Sequence, residues 1–393
     1  MLKSYKYRIY PNESQQRQMS KTFGSCRYVY NWALNLKNKR YQEFKQNVNR
    51  FELSSMLTFM KTTNELEWLN DVNSQSIQAS LRHLDVAFTN FFRKTFKYPN
   101  FKRRNQKQSF ECPQNVKINF ETKKIQIPKI GKVKYKDIQT FDGQIKTCSV
   151  SKNTSGQYFI SILVDNSIEL PLKKEITEST SIGIDVGIST FCTLSTGEKV
   201  ENPKWFNASA KKLAIYQKRF SKKVLKSKNR NEQRIKVAKI YNDITNKRKD
   251  FINKLTTKII KNHDTIFVED LNITNMMQTK SLAKSIQSAS WGEFFRQLEY
   301  KSAWYGKNLI KIGRFEPSSK MCSCGKINSN LQLSDRNWVC TSCGELHDRD
   351  ILASNNIKKF GLIKLNYNTR QVMSEESVDA SHWRAVEAET FVP

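Results

Sequence analysis

The chain has no run of 18 apolar residues, the length at which a segment reads as a transmembrane helix, so no membrane span is expected. Its start, Met1-Leu2-Lys3-Ser4-Tyr5, lacks the apolar stretch of a secretory signal, so a cytoplasmic location is expected. No internal repeat is evident, which argues against a repeat array. Acids are scarce: 36 Asp and Glu stand against 67 Lys and Arg, a formal charge of +31 with a pI near 9.8. Such an excess repels itself without a polyanionic partner. Nucleic acid supplies one, because each neutralised phosphate releases counterions. An anionic membrane surface fits less well, since the charge is spread along most of the chain. With 393 residues, 11% aromatic and 38% apolar, the chain has core enough for two or three domains.

Residues 2–10 alternate as a strand does, and Pro11-Asn12-Glu13-Ser14 reads as a turn and helix cap. From 13 to about 94 the apolar spacing is helical: Phe23, Val29, Trp32, Leu36, then Leu53, Met56, Leu57, Met60, then Ile77, Leu81, Leu84, Phe88, Phe91. Residues 97–170 carry short alternating segments at 108–112, 116–120, 124–128, 132–135, 144–151 and 157–164. These have the lengths and turn signals of a small antiparallel barrel, which the first strand is expected to join. The boundaries predicted are a barrel of 1–12 and 97–172, a helical insertion of 13–96, and a second domain of 173–366. Within that domain, two basic helices over 204–262 break near Ser227-Lys228-Asn229. A final helix runs from Asp350 to about Phe360, and 367–393 is expected to be a disordered tail. Cys26, Cys112, Cys148 and Cys192 are scattered in apolar contexts and read as reduced core thiols.

Three acids have distinctive settings. Asp185 ends the apolar run Ser181-Ile182-Gly183-Ile184, and Gly187 behind it lets a chain or ligand come close. Glu269 ends Thr265-Ile266-Phe267-Val268, and Asp350 closes His347-Asp348-Arg349. Each alone is ordinary: a turn residue, a loop cap, a first-turn helix acid. Their order is not: strand–Asp, hairpin, helices, strand–Glu, then Asp opening a late helix. That is the order of metal ligands in an RNase H-like nuclease fold, where carboxylates at strand ends hold divalent metals for phosphodiester cleavage. Cys322-Ser323-Cys324 and Cys340-Thr341-Ser342-Cys343, each followed by Gly, frame residues 325–339 as a four-thiolate zinc ribbon would, with His347 able to replace one ligand.

The helices over 204–262 bear a run of Lys and Arg including Lys222, Lys223 and Arg230, with too few acids for i,i+4 pairing to explain it. A surface that tracks a nucleic-acid backbone explains it better. Residues 96–104 interleave rings with cations, and Lys97, Tyr98, Lys102, Arg103 and Arg104 suit stacking on unpaired bases or clamping of RNA.

At these residues the chain resembles TnpB, the RNA-guided endonuclease of bacterial insertion sequences and a relative of type V CRISPR effectors. The resemblance runs from residue 3 to about 360. It is closest at 5–11, at Thr22-Phe23-Gly24-Ser25-Cys26-Arg27-Tyr28-Val29-Tyr30-Asn31-Trp32-Ala33-Leu34, at 183–187, at Asn246-Lys247-Arg248-Lys249-Asp250-Phe251, at 268–272, at Trp291-Gly292, at Glu316-Pro317-Ser318-Ser319-Lys320 and at 347–350. It implies a multidomain α+β protein: a small wedge-type antiparallel β-barrel with a helical recognition insertion, then an RNase H-like RuvC nuclease domain with a zinc-ribbon insert at 318–345. Asp185, Glu269 and Asp350 match the RuvC triad that holds two Mg2+ ions, with one structural Zn2+ on Cys322, Cys324, Cys340 and Cys343. The implied partners are a transposon-encoded guide RNA and double-stranded target DNA bearing a flanking motif, one protein monomer per RNA. Ser74, Gln75 and Gln78, in the helical region the family uses for motif recognition, are the expected readers of that motif, since Gln can pair with adenine. The chain departs from the family at its first cysteine pair, C-x-C where C-x-x-C is usual, and at Leu352, where Asn is usual. Two alternatives stand beside this reading: a transposase using the same acids, although no helix-turn-helix DNA reader is evident, and a non-catalytic RNA-guided repressor.

Overall fold

The computed structural model describes residues 1–62, 66–105, 107–136, 139–332 and 334–375, with residue 280 and residues 366–375 described by backbone alone. Two compact units emerge: Met1–Glu169 with Lys223–Lys239, and Leu170–Lys222 with Ile240–Pro393.

In the first unit, strand β1 (Leu2–Tyr10) leads into helix α1 (Glu13–Phe44), then α2 (Arg50–Met60) and α3 (Ser74–Phe92). Asn12 starts α1 with a capping box: its side chain accepts from Gln15 N–H, and the Gln15 side chain accepts in return from Asn12 N–H. Strands β2 (Gln108–Cys112), β3 (Lys117–Asn119), β4 (Lys124–Ile127), β5 (Gly131–Tyr135), β6 (Gln144–Lys152) and β7 (Tyr158–Asp165) complete one antiparallel sheet in the order β2-β6-β7-β1-β5-β4-β3. As expected, β1 joins the sheet, and it lies between β7 and β5.

The expected barrel is not closed by hydrogen bonds: among the described residues no ladder joins β2 to β3. Helices cover the β2 edge instead. Phe23 of α1 packs on Phe110 at 5.2 Å between centroids, Ser76 of α3 meets the Cys112 thiol at 3.6 Å, and Arg82 and His83 of α3 pair with Glu111. An edge strand capped this way has no need of a strand partner. The helical insertion is therefore no separate body, for Met19, Phe23 and Cys26 belong to the sheet's own core. Cys26, Cys112 and Cys148 of this unit are free and buried, as is Cys192 of the second.

The second unit opens with a meander, β8 (Ser181–Val186), β9 (Thr190–Leu194) and β10 (Lys199–Glu201). Helix α4 (Trp205–Ser221) follows, then α5 (Lys228–Asn262), which begins among residues of the first unit. Strand β11 (Thr265–Glu269), helices α6 (Ile273–Met276), α7 (Lys280–Ala289) and α8 (Trp291–Trp304), and strand β12 (Asn308–Ile312) come next. The sheet order is β10-β9-β8-β11-β12, with β11 parallel to both β8 and β12. A small ribbon, β13 (Asn337–Val339) against β14 (Leu346–Asp348), precedes α9 (Arg349–Glu375).

Helix α9 lies directly on the sheet because two glycines leave room for it. A Cβ on Gly183 of β8 would stand 2.1 Å from the Ser354 carbonyl oxygen, and one on Gly361 of α9 would stand 2.0 Å from the Phe267 ring of β11. The helix runs through Glu375, so residues 367–375 are helical and not part of a disordered tail; the remainder of that predicted tail, 376–393, lies outside the described residues.

Candidate active site

Strands β8 and β11 are parallel and pair Ile184 with Val268, so Asp185 and Glu269 follow at the same level, at the carboxyl ends of neighbouring buried strands. Asp350 stands in the first turn of α9, one turn before Ser354, whose carbonyl oxygen faces Gly183. The close helix–sheet contact thus delivers the third acid to the end of the strand that carries the first. All three side chains are half-buried. Burial, then the like charges of Glu269 and Asp350, push the Asp185 carboxyl up to about 8, while Arg349 nearby opposes the rise.

Each outer acid has its own holder. Ser318 Oγ donates to Glu269 Oε1 at 2.6 Å, and Asn356 of α9 in turn donates to the Ser318 carbonyl at 2.7 Å. Arg336 pairs with Asp350 Oδ1 at 3.3 Å. Asp348 caps α9, its Oδ1 accepting from Asp350 and Ile351 N–H at 3.1 Å each. Ser318 and Arg336 have no local signal for these roles, because both reach the site from distant positions in the chain. Gly187 serves its own hairpin: its N–H donates to Phe191 O at 3.2 Å, and a Cβ there would lie 2.8 Å from the Thr190 carbonyl.

Asp185 lies close enough to Glu269 and Asp350 for both charges to act on it, so the three acids form one electrostatic group at this end of the sheet. An all-oxygen, carboxylate donor set fits Mg2+.

The sulfur atoms of Cys322, Cys324, Cys340 and Cys343 come together, with Cys322 to Cys343 at 3.5 Å and Cys324 to Cys340 at 3.7 Å. A tetrahedron with zinc–sulfur bonds of about 2.3 Å has edges of about 3.8 Å, so the C-x-C pair still reaches a zinc geometry. Backbone N–H groups of Cys343 and Ser342 pull the Cys340 thiol down to about 6, whereas the thiols of Cys322, Cys324 and Cys340 push that of Cys343 up to about 12. His347 is buried with Nε2 at 3.0 Å from Cys322 Sγ, and it forms an alternative ligand cluster with Cys322 and Glu345. Leu352, one of the chain's departures from its family, packs among Cys322, Leu331, Trp338 and Cys340.

The expected nucleic-acid residues divide. Ser74, Gln78, Lys97, Arg103, Arg104, Lys222 and Lys223 are exposed. Gln75 is half-buried and donates from Nε2 to Gln114 at 2.8 Å, so it does not simply face outward. Tyr98 bonds Asn38 at 2.5 Å and meets Phe88 and Phe91 edge-on. The Lys102 ammonium rests 3.9 Å above Tyr30, and its backbone exchanges two hydrogen bonds with Asn31. Arg230 closes the turn before α5 by donating to Lys223 O at 2.8 Å. Tyr98, Lys102 and Arg230 therefore brace loops as well as presenting charge or ring.

No helix among the described residues is long and apolar enough to cross a membrane. Residues 160–280 match the OrfB family of IS605-type elements, described as "Probable transposase". Residues 291–357 match a "Cas12f1-like, TNB domain". Residues 1–46 match a model described as a helix-turn-helix domain, although here they form a strand and one long helix without a turn between helices. A Streptomyces pristinaespiralis protein named "Putative RNA-guided DNA endonuclease" is 36% identical over 92% of this chain and 89% of its own length. An Escherichia coli K12 protein of the same description, InsQ, is 32% identical over 92% of each chain. A Cas12f1 structure, in complex with single-guide RNA and target DNA, superposes with a TM-score of 0.50 at 14% identity, over 91% of this chain and 98% of that one, which is a likeness of fold. By two relatives above 30% identity over nearly their whole length, the chain belongs to the TnpB family of IS605-type elements.

Proposed function

We propose that the protein is an RNA-guided, divalent-metal-dependent DNA endonuclease. The observation that carries this reading is the convergence of Asp185, Glu269 and Asp350 at one end of the second sheet, in a chain of charge +31. The names of its relatives agree with it. Asp185, Glu269 and Asp350 would hold Mg2+, which when bound in pairs activates water and stabilises the leaving 3′-oxygen. The chain's own groups do the rest. Ser318 fixes the Glu269 carboxylate, Arg336 and the Asp348 cap fix Asp350, and the exposed cations neutralise phosphates. In this reading the first unit holds an RNA scaffold, base pairing reads the target, and the protein reads only a short flanking motif through Ser74 and Gln78. The four cysteines would hold one zinc ion as a structural clamp.

The test is cleavage of target DNA by protein carrying its co-purified RNA, with Mg2+ and then with chelator. Cutting that needs Mg2+ and a matching guide supports the proposal. Intact DNA in the presence of both refutes it and favours a non-catalytic repressor. The family description "Probable transposase" favours a second reading, which predicts strand-joined products without any guide RNA.

A further inference from the structure

We propose that Phe315 is a stacking platform for a nucleobase of the strand that passes the carboxylate site. The inference rests on the nuclease reading above. Phe315 is 93% exposed and makes no ring contact among the described residues. Burying a phenylalanine side chain stabilises a fold, and here that gain is forgone. Two phenylalanines within the same sheet, Phe191 and Phe267, are by contrast buried.

Its position explains the exposure. Strand β12 ends at Ile312, which pairs with Glu269, so Phe315 lies three residues beyond the catalytic level, in the loop that follows the adjoining strand. The loop that carries it is tied to that level on both sides. Before it, Arg314 donates from Nε to the Asp270 carbonyl at 3.1 Å and pairs with the Asp270 carboxylate at 2.7 Å. After it, Ser318 N–H donates to Glu316 O at 2.8 Å, and Ser318 Oγ donates to Glu269 itself at 2.6 Å. An aromatic ring is thereby held out into solvent on a braced turn beside acids that would act on a phosphodiester.

The substrate such a site handles has charged phosphates for the metal ions and cations, and flat apolar bases with nothing yet to rest on. A braced ring at the rim supplies that rest without reading sequence, because every base has a π-face. Stacking would set the register of the strand, so that one phosphate and not its neighbour meets the carboxylates. Phe315 is in this sense a positioning residue.

The test uses the full chain with its guide RNA, made cleavage-silent by Asp185→Asn, bound to target DNA carrying 2-aminopurine at successive positions of the cut region. Quenching at one or two adjacent positions, lost in Phe315→Ala and kept in Phe315→Trp, is the expected result. In the active protein, Phe315→Ala should slow cutting by about 5- to 100-fold and spread the cut positions, with Phe315→Trp restoring both. Unchanged quenching, rate and cut positions in Phe315→Ala would overturn the stacking role while leaving the nuclease reading intact. Failure of the unmutated complex to cut at all would instead remove the nuclease reading and this inference with it.

Discussion

Strand β7 of the first sheet alternates buried and half-buried residues along its length, whereas β8 and β11 of the second are buried at four consecutive positions. The first pattern belongs to a sheet with one face on a core and the other toward solvent or a ligand. The second belongs to strands covered on both faces. The consequence is a division of labour. In the second unit, polarity can appear only where the buried strands stop, and there the chain puts Asp185 and Glu269. In the first unit, polarity is spread over edges, loops and outer faces. Chemistry should therefore be concentrated in a few groups of the second unit, and binding diluted over many groups of the first.

Asp185→Asn is the sharpest attempt to break that contrast. It should lower cleavage at least ~10³-fold while RNA and target affinity change little, since affinity is summed over many phosphate contacts. Affinity falling in step with cleavage would show that the contrast is wrong.

Cys340→Ser should release zinc and loosen the ribbon, because structural metal binding is folding energy. Metal analysis should give about one zinc per parent chain and far less in the variant, with a lower melting temperature. Equal zinc in both would show that Cys340 is not a ligand.

Gly183→Ala tests the close seat of α9. The added methyl meets the Ser354 carbonyl, so the helix must lift, costing about 2–3 kcal/mol in thermal or denaturant unfolding and displacing Asp350. A stable, fully active variant would show that the seat is not tight.

In the first unit, His83, Thr147 and Arg82 hold the Glu111 carboxyl down to about 2. A carboxyl lowered on folding stabilises above its ordinary value near 4.5, and that contribution is lost as pH falls through about 2. Glu111→Gln should thus cost about 2 kcal/mol at neutral pH, with the gap to the parent closing between those two values. A gap that stays constant as the pH is lowered through that window would remove the carboxylate from the account.

The smallest effect should come from Gln78→Ala, a few-fold loss of cutting that depends on the flanking sequence. Randomised-flank cleavage is the measurement. An unchanged motif and rate would take this helix face off the reading surface.

Much of this molecule is written in local pattern. The alternation at 2–10, the helical stripe of Ile77, Leu81 and Leu84, the break near Ser227 and the strand runs ending at Asp185 and Glu269 are each decided by neighbours in sequence. What escaped is decided by distant partners. Among the described residues no ladder joins β2 to β3 and helices lie on the β2 edge, and no residue of β2 says what will cover it. Gln75 turns to Gln114, and nothing near Gln75 in sequence names that partner. Helix α9 continues past Phe360 to Glu375 through turns that carry little apolar periodicity. Ser318 and Arg336 are plain polar residues until the fold sets them against Glu269 and Asp350.

The place of β1 has a consequence for how the chain is born. Strand β1 leaves the ribosome before both of its sheet neighbours, β5 and β7, which end at Tyr135 and Asp165. At translation rates of about 5–20 residues per second, β1 waits roughly 10–30 seconds for the second of them. Helices α1 to α3 emerge in that interval and can form from local contacts alone. A nascent chain stalled between those points would carry a solitary strand with Tyr5, Tyr7 and Ile9 uncovered, so chaperone capture should peak there and fall once Asp165 is out.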